Sequence, residues 1–417
     1  MPHDLPPLTF RPVDLEDDAE LDAYMANTAM VFTSPVVHGP EMREFRRPTY
    51  RTQRLTAAFD HDALVATYRS WDWQVTVPGG ATVTADAVST VTVRPTHRRR
   101  GALTGLITAD LAAAKARGVP AAVLVASEAS IYGRYGFGVA TRSATWDVDV
   151  RSAKVGAGVP RVGTVEVVDL AAVRQVAPVV FEASRRPGAT DRSEEWWDVL
   201  LRVTPWPGDK PDPAVVALYR DGDGTPRGYA VYSWKDDWAD RRSHTVVTLL
   251  DLQAATGEAY AGLWRFLTEL DLVATVRGAD RPVDEELPHL LVDARAARAS
   301  TIVDLLWARV LDPVAALSAR TYESPGAAVL EVTDPLGHAA GRFALVVDGT
   351  GAARVGPTDS AVDVTLGVDV LSSLWLGGGD LHAAAVAGRV VEHAAGAVAN
   401  LDRLMRTSRA PWTGTWF

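Results

Sequence analysis

Residues 91–102, Val-Thr-Val-Arg-Pro-Thr-His-Arg-Arg-Arg-Gly-Ala, constrain fold and ligand together. Val91 and Val93 alternate with Thr92 and Arg94 as on a strand, and Pro95 stops it. Leu103, Leu106, Ile107 and Leu111 then recur at helical spacing. A strand that runs through a basic, glycine-containing turn into a helix concentrates positive potential. The free N–H groups of the first helical turn, the positive end of the helix dipole and Arg98, Arg99 and Arg100 converge on one small volume. An anion of two or three phosphates fits there. The loop lacks the Gly-Lys-Ser/Thr ending of a P-loop and the chain holds no Gly-x-Gly-x-x-Gly, which weakens nucleoside triphosphates and dinucleotides as ligands. Coenzyme A is the natural candidate. The competing reading is a solvated or nucleic-acid-binding arginine patch. Against it stand 52 acidic residues, 42 basic ones and a formal charge of −10, because polyanion binding depends on many distributed Lys and Arg contacts.

Farther along, an apolar strand at 121–125 leads into Ser127-Glu128-Ala-Ser-Ile-Tyr132-Gly-Arg-Tyr135-Gly-Phe-Gly138. Together the two segments resemble the GCN5-related N-acetyltransferases (GNAT), in which an Arg/Gln-x-x-Gly-x-Gly/Ala loop precedes a later strand and an acid-bearing helix. Arg98-x-x-Gly101 matches that loop, with Leu103 where the last small residue is usual. The run from Ile131 to Phe137 narrows the resemblance to the enhanced intracellular survival (Eis) acetyltransferases, which modify amines of aminoglycosides and some protein lysines. Leu-Pro-His-Leu-Leu at 287–291, the stretch 306–317 and the aromatic residue Phe417 extend it over most of the chain. The resemblance implies an α/β (α+β) architecture of two tandem GNAT-like folds followed by a sterol-carrier-like domain. Residues 1–157 would hold the acetyl-CoA site, 158–305 a GNAT-like fold without the cofactor loop, and 306–417 a sterol-carrier-like domain ending in the active site. It also implies a homohexamer.

Composition removes other chemistries. The absence of cysteine excludes disulfides, thiolate metal sites and a cysteine nucleophile. There is no His-Glu-x-x-His and no Gly-x-Ser-x-Gly, so neither a metal nor a serine nucleophile is expected. No apolar run reaches the roughly 20 residues of a membrane span and no signal-peptide pattern opens the sequence, so a cytoplasmic protein without membrane or nucleic-acid partners is expected.

The pattern predicts a strand at 8–13, an acidic helix start at 14–25 and a Pro- and Gly-rich loop over roughly 33–48. Strands follow at 53–59, 63–69 and 73–77, then a Gly79-Gly80 turn and a long strand over 82–93. Gly156 to Pro160 marks the first domain boundary. The six tryptophans at 196, 197, 206, 234, 238 and 264 are read as packing residues.

Acetyl transfer to an amine requires an anchored cofactor, a polarised thioester carbonyl, a base for the amine proton and an acid for the departing thiolate. The backbone N–H groups of Arg99, Arg100, Gly101, Ala102, Leu103 and Thr104 are the candidate pyrophosphate cradle, with Arg98, Arg99 and Arg100 as charge clamps. Val91, Thr92 and Val93 would pair with the pantetheine amides and offer an N–H to the carbonyl oxygen. Ser127 and Glu128 are subsidiary candidates at the end of the next strand, and His97 would orient the turn. A phenol, protonated at neutral pH, suits the acid. The family resemblance selects Tyr132 over Tyr135, and it assigns the base to the α-carboxylate of Phe417. In the Eis pattern an acidic residue commonly precedes the terminal aromatic, whereas here Trp416 does. That acid helps the family's acidic pocket hold polycationic drugs, so its replacement weighs against aminoglycosides while leaving amine acetylation in place. The acceptor candidates are a small polyamine or aminoglycoside, another amine antibiotic, or a protein lysine. A non-catalytic scaffold that binds a ligand or lipid is the alternative from a different class.

Overall fold

The computed structural model describes residues 7–34 and 39–417. Its contacts divide into two units, one comprising 1–140, 306–408 and 416–417, the other 141–305 and 409–415. In the first, strand β1 (Thr9–Pro12) leads to helix α1 (Asp18–Val31), whose cap Asp17 accepts the N–H groups of Ala19 and Glu20. Helix α2 (Pro40–Tyr50) occupies most of the segment expected as a loop over 33–48, of which 35–38 lie outside the described residues. Its Pro40 sits in the first turn, where a missing N–H costs nothing. Arg43 and Arg47 tie it to Asp18 and Asp22 of α1, ion pairs that local composition does not announce.

Strands β2 (Arg54–Asp60), β3 (Ala63–Thr76) and β4 (Thr82–Val93) form an antiparallel run. The two strands expected at 63–69 and 73–77 are one, because Ser70, Trp71 and Asp72 continue the ladder opposite Val88, Ala87 and Asp86. Gly79 and Gly80 turn the chain between β3 and β4 at φ of 96° and 86°, where a side chain would be strained. Helix α3 (Ala102–Ala116), β5 (Ala121–Val125), the short helix α4 (Ala129–Tyr132) and β6 (Gly138–Val139) complete this stretch.

The second unit is built on β7 (Arg142–Asp149), β8 (Thr164–Val168), β9 (Ala214–Arg220), β10 (Pro226–Lys235), the small hairpin β11 (Trp238–Ala239) and β12 (Arg242–Ser243), β13 (Thr245–Ala254), β14 (Val273–Pro282) and β15 (Ala297–Asp304). Its main sheet runs β15-β7-β14-β13-β10-β9-β8. Because β7 pairs with β14 and β15, the boundary drawn from composition at 157 falls inside this unit. Trp264, on the helix Gly257–Thr268, and Trp197 are buried in its cores as packing residues. Where this helix begins, Thr256 caps it and no arginine precedes it. Arg281 donates to the Leu252 carbonyl at 2.8 Å and to Glu285, and stacks on Trp412. The indole of Trp412 donates to Asp280 O at 2.7 Å, and Thr413 and Thr415 beyond it are buried in the same unit.

The chain re-enters the first unit as β16 (Leu306–Val310), which inserts between β5 and β6 to give the order β1-β2-β3-β4-β5-β16-β6. A second sheet follows from β17 (Gly326–Thr333), β18 (Gly341–Val347), β19 (Ala353–Pro357), β20 (Val364–Gly367) and β21 (Val390–Glu392), ordered β19-β18-β17-β20-β21. The first sheet has two buried faces. On one, Tyr68, Val88, Leu124 and Trp307 meet Ile107 and Leu111 of α3 and Tyr132 of α4. On the other, Trp73, Val75, Ala85, Val123 and Ala308 share a core with Leu330, Leu345 and Leu366 of the second sheet.

Candidate active site

The first sheet opens where β4 and β5 part. Their parallel pairing runs from Ala85/Ala121 to Val88/Leu124 and stops, so the β5-facing edge of Ser89 to Val93 has no strand partner. Thr90 stands at φ 48°, and the β3–β4 register shifts between Thr67/Thr92 and Arg69/Ser89, which marks a bulge. A buried hydroxyl network pins it. Tyr24 of α1 bonds Thr90 Oγ1 at 2.8 Å, the Thr67 hydroxyl lies 2.7 Å from Thr90 O, and Asn27 donates to Thr92 Oγ1 at 2.8 Å. Arg94 returns to Asn27 Oδ1 at 2.9 Å. The Thr92 side chain therefore serves this network, while Val91 and Val93 turn partly buried side chains toward the α3 face. None of Tyr24, Asn27, Thr67 and Thr90 carried a motif signal; the alternation of Thr90 and Thr92 with valines is the one trace they leave.

Below the bulge the basic loop enters α3. Arg99 at φ 64° and Gly101 at φ 81° take left-handed backbone, and Gly101 caps the helix without a side chain. No atom lies within 4 Å of where a Cβ on Gly101 would stand, so glycine is required there by conformation and not by crowding. Ala102 is buried at the helix start and Leu103 partly so. Arg98 and Arg99 are exposed. Arg100 instead reaches Asp60 at the end of β2 with 2.6 Å between Nη1 and Oδ2, and His97 Nε2 lies 3.1 Å from the same oxygen. The Arg100 guanidinium, with His97 beside it, holds the Asp60 carboxyl below its ordinary range. An exposed arginine pair beside a left-handed glycine and a helix start suits a pyrophosphate, and the open edge of β4 suits an extended amide chain; the residues present fit coenzyme A.

Ser127 and Glu128, past the end of β5, are exposed. The two phenols of the next turn differ sharply. Tyr135 bonds Thr104 Oγ1 at 2.9 Å, which commits both hydroxyls to fixing the turn against α3. Tyr132 is nearly buried, packs edge-on to Phe137 with ring centroids 6.0 Å apart, and has no hydrogen bond to its hydroxyl among the described residues. Burial, reinforced by Glu128 and Tyr135, pushes its phenol up to about 12. Phe417 lies on the other face of the sheet, its ring 4.9 Å from Trp73 and 5.6 Å from Trp71 of β3. Arg69, also on β3, sits over Trp71 at 5.0 Å and donates to Ser89 Oγ at 3.2 Å beside the bulge. Trp71 and Trp73 share a face by strand period, a signal the sequence did contain.

Comparison with known proteins agrees with this geometry. Residues 12–140 and 188–310 each match an acetyltransferase (GNAT) domain family, and 313–414 match the sterol carrier protein domain. An uncharacterised N-acetyltransferase of Streptomyces avermitilis is 40% identical over 98% of this chain and 100% of its own length. The N-acetyltransferase Eis of Mycobacterium tuberculosis is 36% identical over 76% of this chain and 77% of its own. The crystal structure of Eis1 from Mycobacterium abscessus superposes with a TM-score of 0.86 at 32% identity, covering 98% of this chain and 100% of that one. With the parted strands, the basic helix start and the free phenol, these relatives show that the chain belongs to the Eis-like GCN5-related N-acetyltransferases.

Proposed function

We propose that this acetyltransferase carries acetyl from acetyl-CoA directly to a primary amine of a small polyamine or aminoglycoside-like acceptor. The observation that carries the proposal is the opening of β4 from β5 beyond Val88, with the basic loop at its base and an unbonded phenol beside it. Arg98, Arg99 and the N–H groups of Arg99 to Thr104 hold the pyrophosphate, with Arg100 set in place by Asp60. Val91 to Val93 pair with the pantetheine and present an N–H where charge develops on the carbonyl oxygen. The bound cofactor supplies an acetyl thioester. As the amine nitrogen bonds to the acetyl carbon and the carbon–sulfur bond breaks, the α-carboxylate of Phe417 takes the amine proton and Tyr132 gives its phenolic proton to the sulfur. Phe417 and Tyr132 lie on opposite faces of the sheet, so base and acid would act from the two sides of the opening beyond Val88. The fixed seat of Phe417 on Trp71 and Trp73 supports the first role. The elevated phenol supports the second. The chemistry invokes no metal. On family likeness we assign a homohexamer in the cytoplasm, checked by light scattering.

The test is thiol release from acetyl-CoA with kanamycin, spermidine and a lysine peptide as acceptors. Release with kanamycin or spermidine is expected. Release with the peptide alone transfers the assignment to protein lysines, and none with any amine while acetyl-CoA binds refutes the transferase reading of this site.

A further inference from the structure

The turn that carries Tyr132 is held from beneath by a buried guanidinium. Arg309 lies on β16, and its side chain and that of Asp334 are both 0% exposed. Its Nε donates to the Tyr135 carbonyl at 2.7 Å, while Nη2 meets both oxygens of Asp334 at 2.8 and 2.7 Å. Asp334 belongs to the β17–β18 turn, where it also accepts the N–H groups of Leu336 at 3.0 Å and Ala339 at 2.8 Å. Ser372, on the helix Val368–Leu374, accepts the Val310 N–H at 2.9 Å and gives its one proton to the Val368 carbonyl at 2.6 Å, with the Gly136 carbonyl a longer 3.3 Å away. The approach is too close for side chains. A Cβ on Gly136 would stand 2.5 Å from Arg309 Nε, and one on Gly138 would stand 2.0 Å from the Asp369 carbonyl oxygen. The Tyr135 carbonyl of the turn is thus held by a side chain from a strand 174 residues farther along the sequence. Phe137 N–H closes the turn onto Tyr132 O at 3.3 Å.

A buried ion pair is often no more stabilising than apolar residues of equal volume, because both charges must be stripped of water. A guanidinium does offer a rigid fork that addresses two acceptors at fixed directions. We infer that Arg309, clamped by Asp334, is a positioning residue for acetyl transfer, fixing the Tyr132 turn so that the phenol meets the departing sulfur. The role rests on Tyr132 being the acid. It also gives the sterol-carrier-like sheet a part in catalysis that requires no lipid.

The test is a double-mutant cycle with acetyl-CoA and whichever of kanamycin, spermidine and the lysine peptide turns over fastest. Arg309→Lys keeps the charge and loses the fork. With the phenol displaced, kcat is expected to fall about 10- to 100-fold, the scale of an ångström-sized misplacement. Acetyl-CoA affinity by calorimetry should stay within about twofold, since the change lies outside the cofactor loop. In a Tyr132→Phe background the same substitution should change kcat less than about twofold, because the group it positions is gone. Equal losses in both backgrounds, or full kcat in folded Arg309→Lys, overturn the role. If Arg309→Lys does not fold, Asp334→Asn, which loosens the clamp on the guanidinium, runs the same cycle: a loss confined to the Tyr132 background supports the role, and an equal loss or none overturns it. Tyr132→Phe with unchanged kcat refutes the acid itself and the positioning with it, an outcome seen before any Arg309 variant is made.

Discussion

Replacing Tyr132 by Phe removes one oxygen from a side chain that makes no hydrogen bond through it among the described residues. Stability should therefore change by no more than about 0.5 kcal/mol, the range for substitutions that break no buried contact. Turnover should not be spared. A positioned general acid contributes roughly 10²–10⁴ in rate, or about 3–5 kcal/mol of barrier, so kcat should fall by that factor with acetyl-CoA affinity unchanged. The pH profile sharpens the test. An acid must carry its proton, and with the phenol pushed up to about 12 by burial, Tyr132 itself causes no loss of rate as pH rises from 7 to about 10. Tyr135→Phe is the matched control. It gives up the 2.9 Å bond to Thr104, worth about 1 kcal/mol, so it should lower Tm by a few degrees and leave kcat within about threefold. Thiol release, calorimetry with acetyl-CoA and circular dichroism melts read all three quantities. A Tyr132→Phe protein that turns over normally beside a crippled Tyr135→Phe protein refutes the assignment.

Arg98→Ala with Arg99→Ala should weaken acetyl-CoA binding about tenfold or more without moving Tm, because both side chains are exposed; unchanged affinity by calorimetry would clear the loop of a phosphate role. Extending the chain after Phe417 should abolish turnover while acetyl-CoA still binds, and an extended protein of full activity, confirmed intact by mass spectrometry, removes the terminal base. Asp86 is fully buried against Asp110, and its Oδ2 receives no donor, while Arg54 and Arg117 hold its other oxygen. Burial and Asp110 push the Asp86 carboxyl up to about 9, so the folded state keeps a proton that the unfolded chain releases near 4. Stability should fall as pH rises between those values, and Asp86→Asn should flatten that slope in denaturant titrations; an unaltered slope contradicts a proton retained on Asp86. Trp412→Ala should destabilise the second unit by about 3 kcal/mol through loss of its buried ring and its bond to Asp280, visible as an earlier melting transition.

Strand β4 could be bounded from sequence because its alternation ends at a proline, and the helix start after Gly101 because apolar spacing changes period there. Both signals are local. Helix α2 was hidden because Pro40 and Pro48 suggest a loop, while the ion pairs that secure it come from α1. The bulge at Thr90 depends on hydroxyls of Tyr24 and Thr67 from two other elements, and the partner of Arg100 sits on a hairpin forty residues upstream. The motif could name Tyr132 through resemblance, but the separation of a tied phenol from an untied one needed the Thr104 contact. Arg309 reads as an ordinary strand residue until Tyr135 and Asp334 are in view.

The insertion of β16 between β5 and β6 sets an order of events during synthesis. When Val139 has left the ribosome, β5 still lacks its neighbour, and Ala121 to Val125 present an unpaired apolar edge. At about 5–20 residues per second, the interval before Leu306 to Val310 arrive is on the order of ten seconds or more. Through that interval β7 to β14 of the middle unit, all between Arg142 and Pro282, can pair, while the first sheet waits with an open flank. Most of the sheet without the arginine loop can thus form first, although its edge strand β15 arrives only just ahead of β16 and the segment 409–415 comes after both. A fragment ending near residue 157 would carry every residue proposed to hold the cofactor and still expose the edge of β5, so it should accumulate in inclusion bodies or on chaperones.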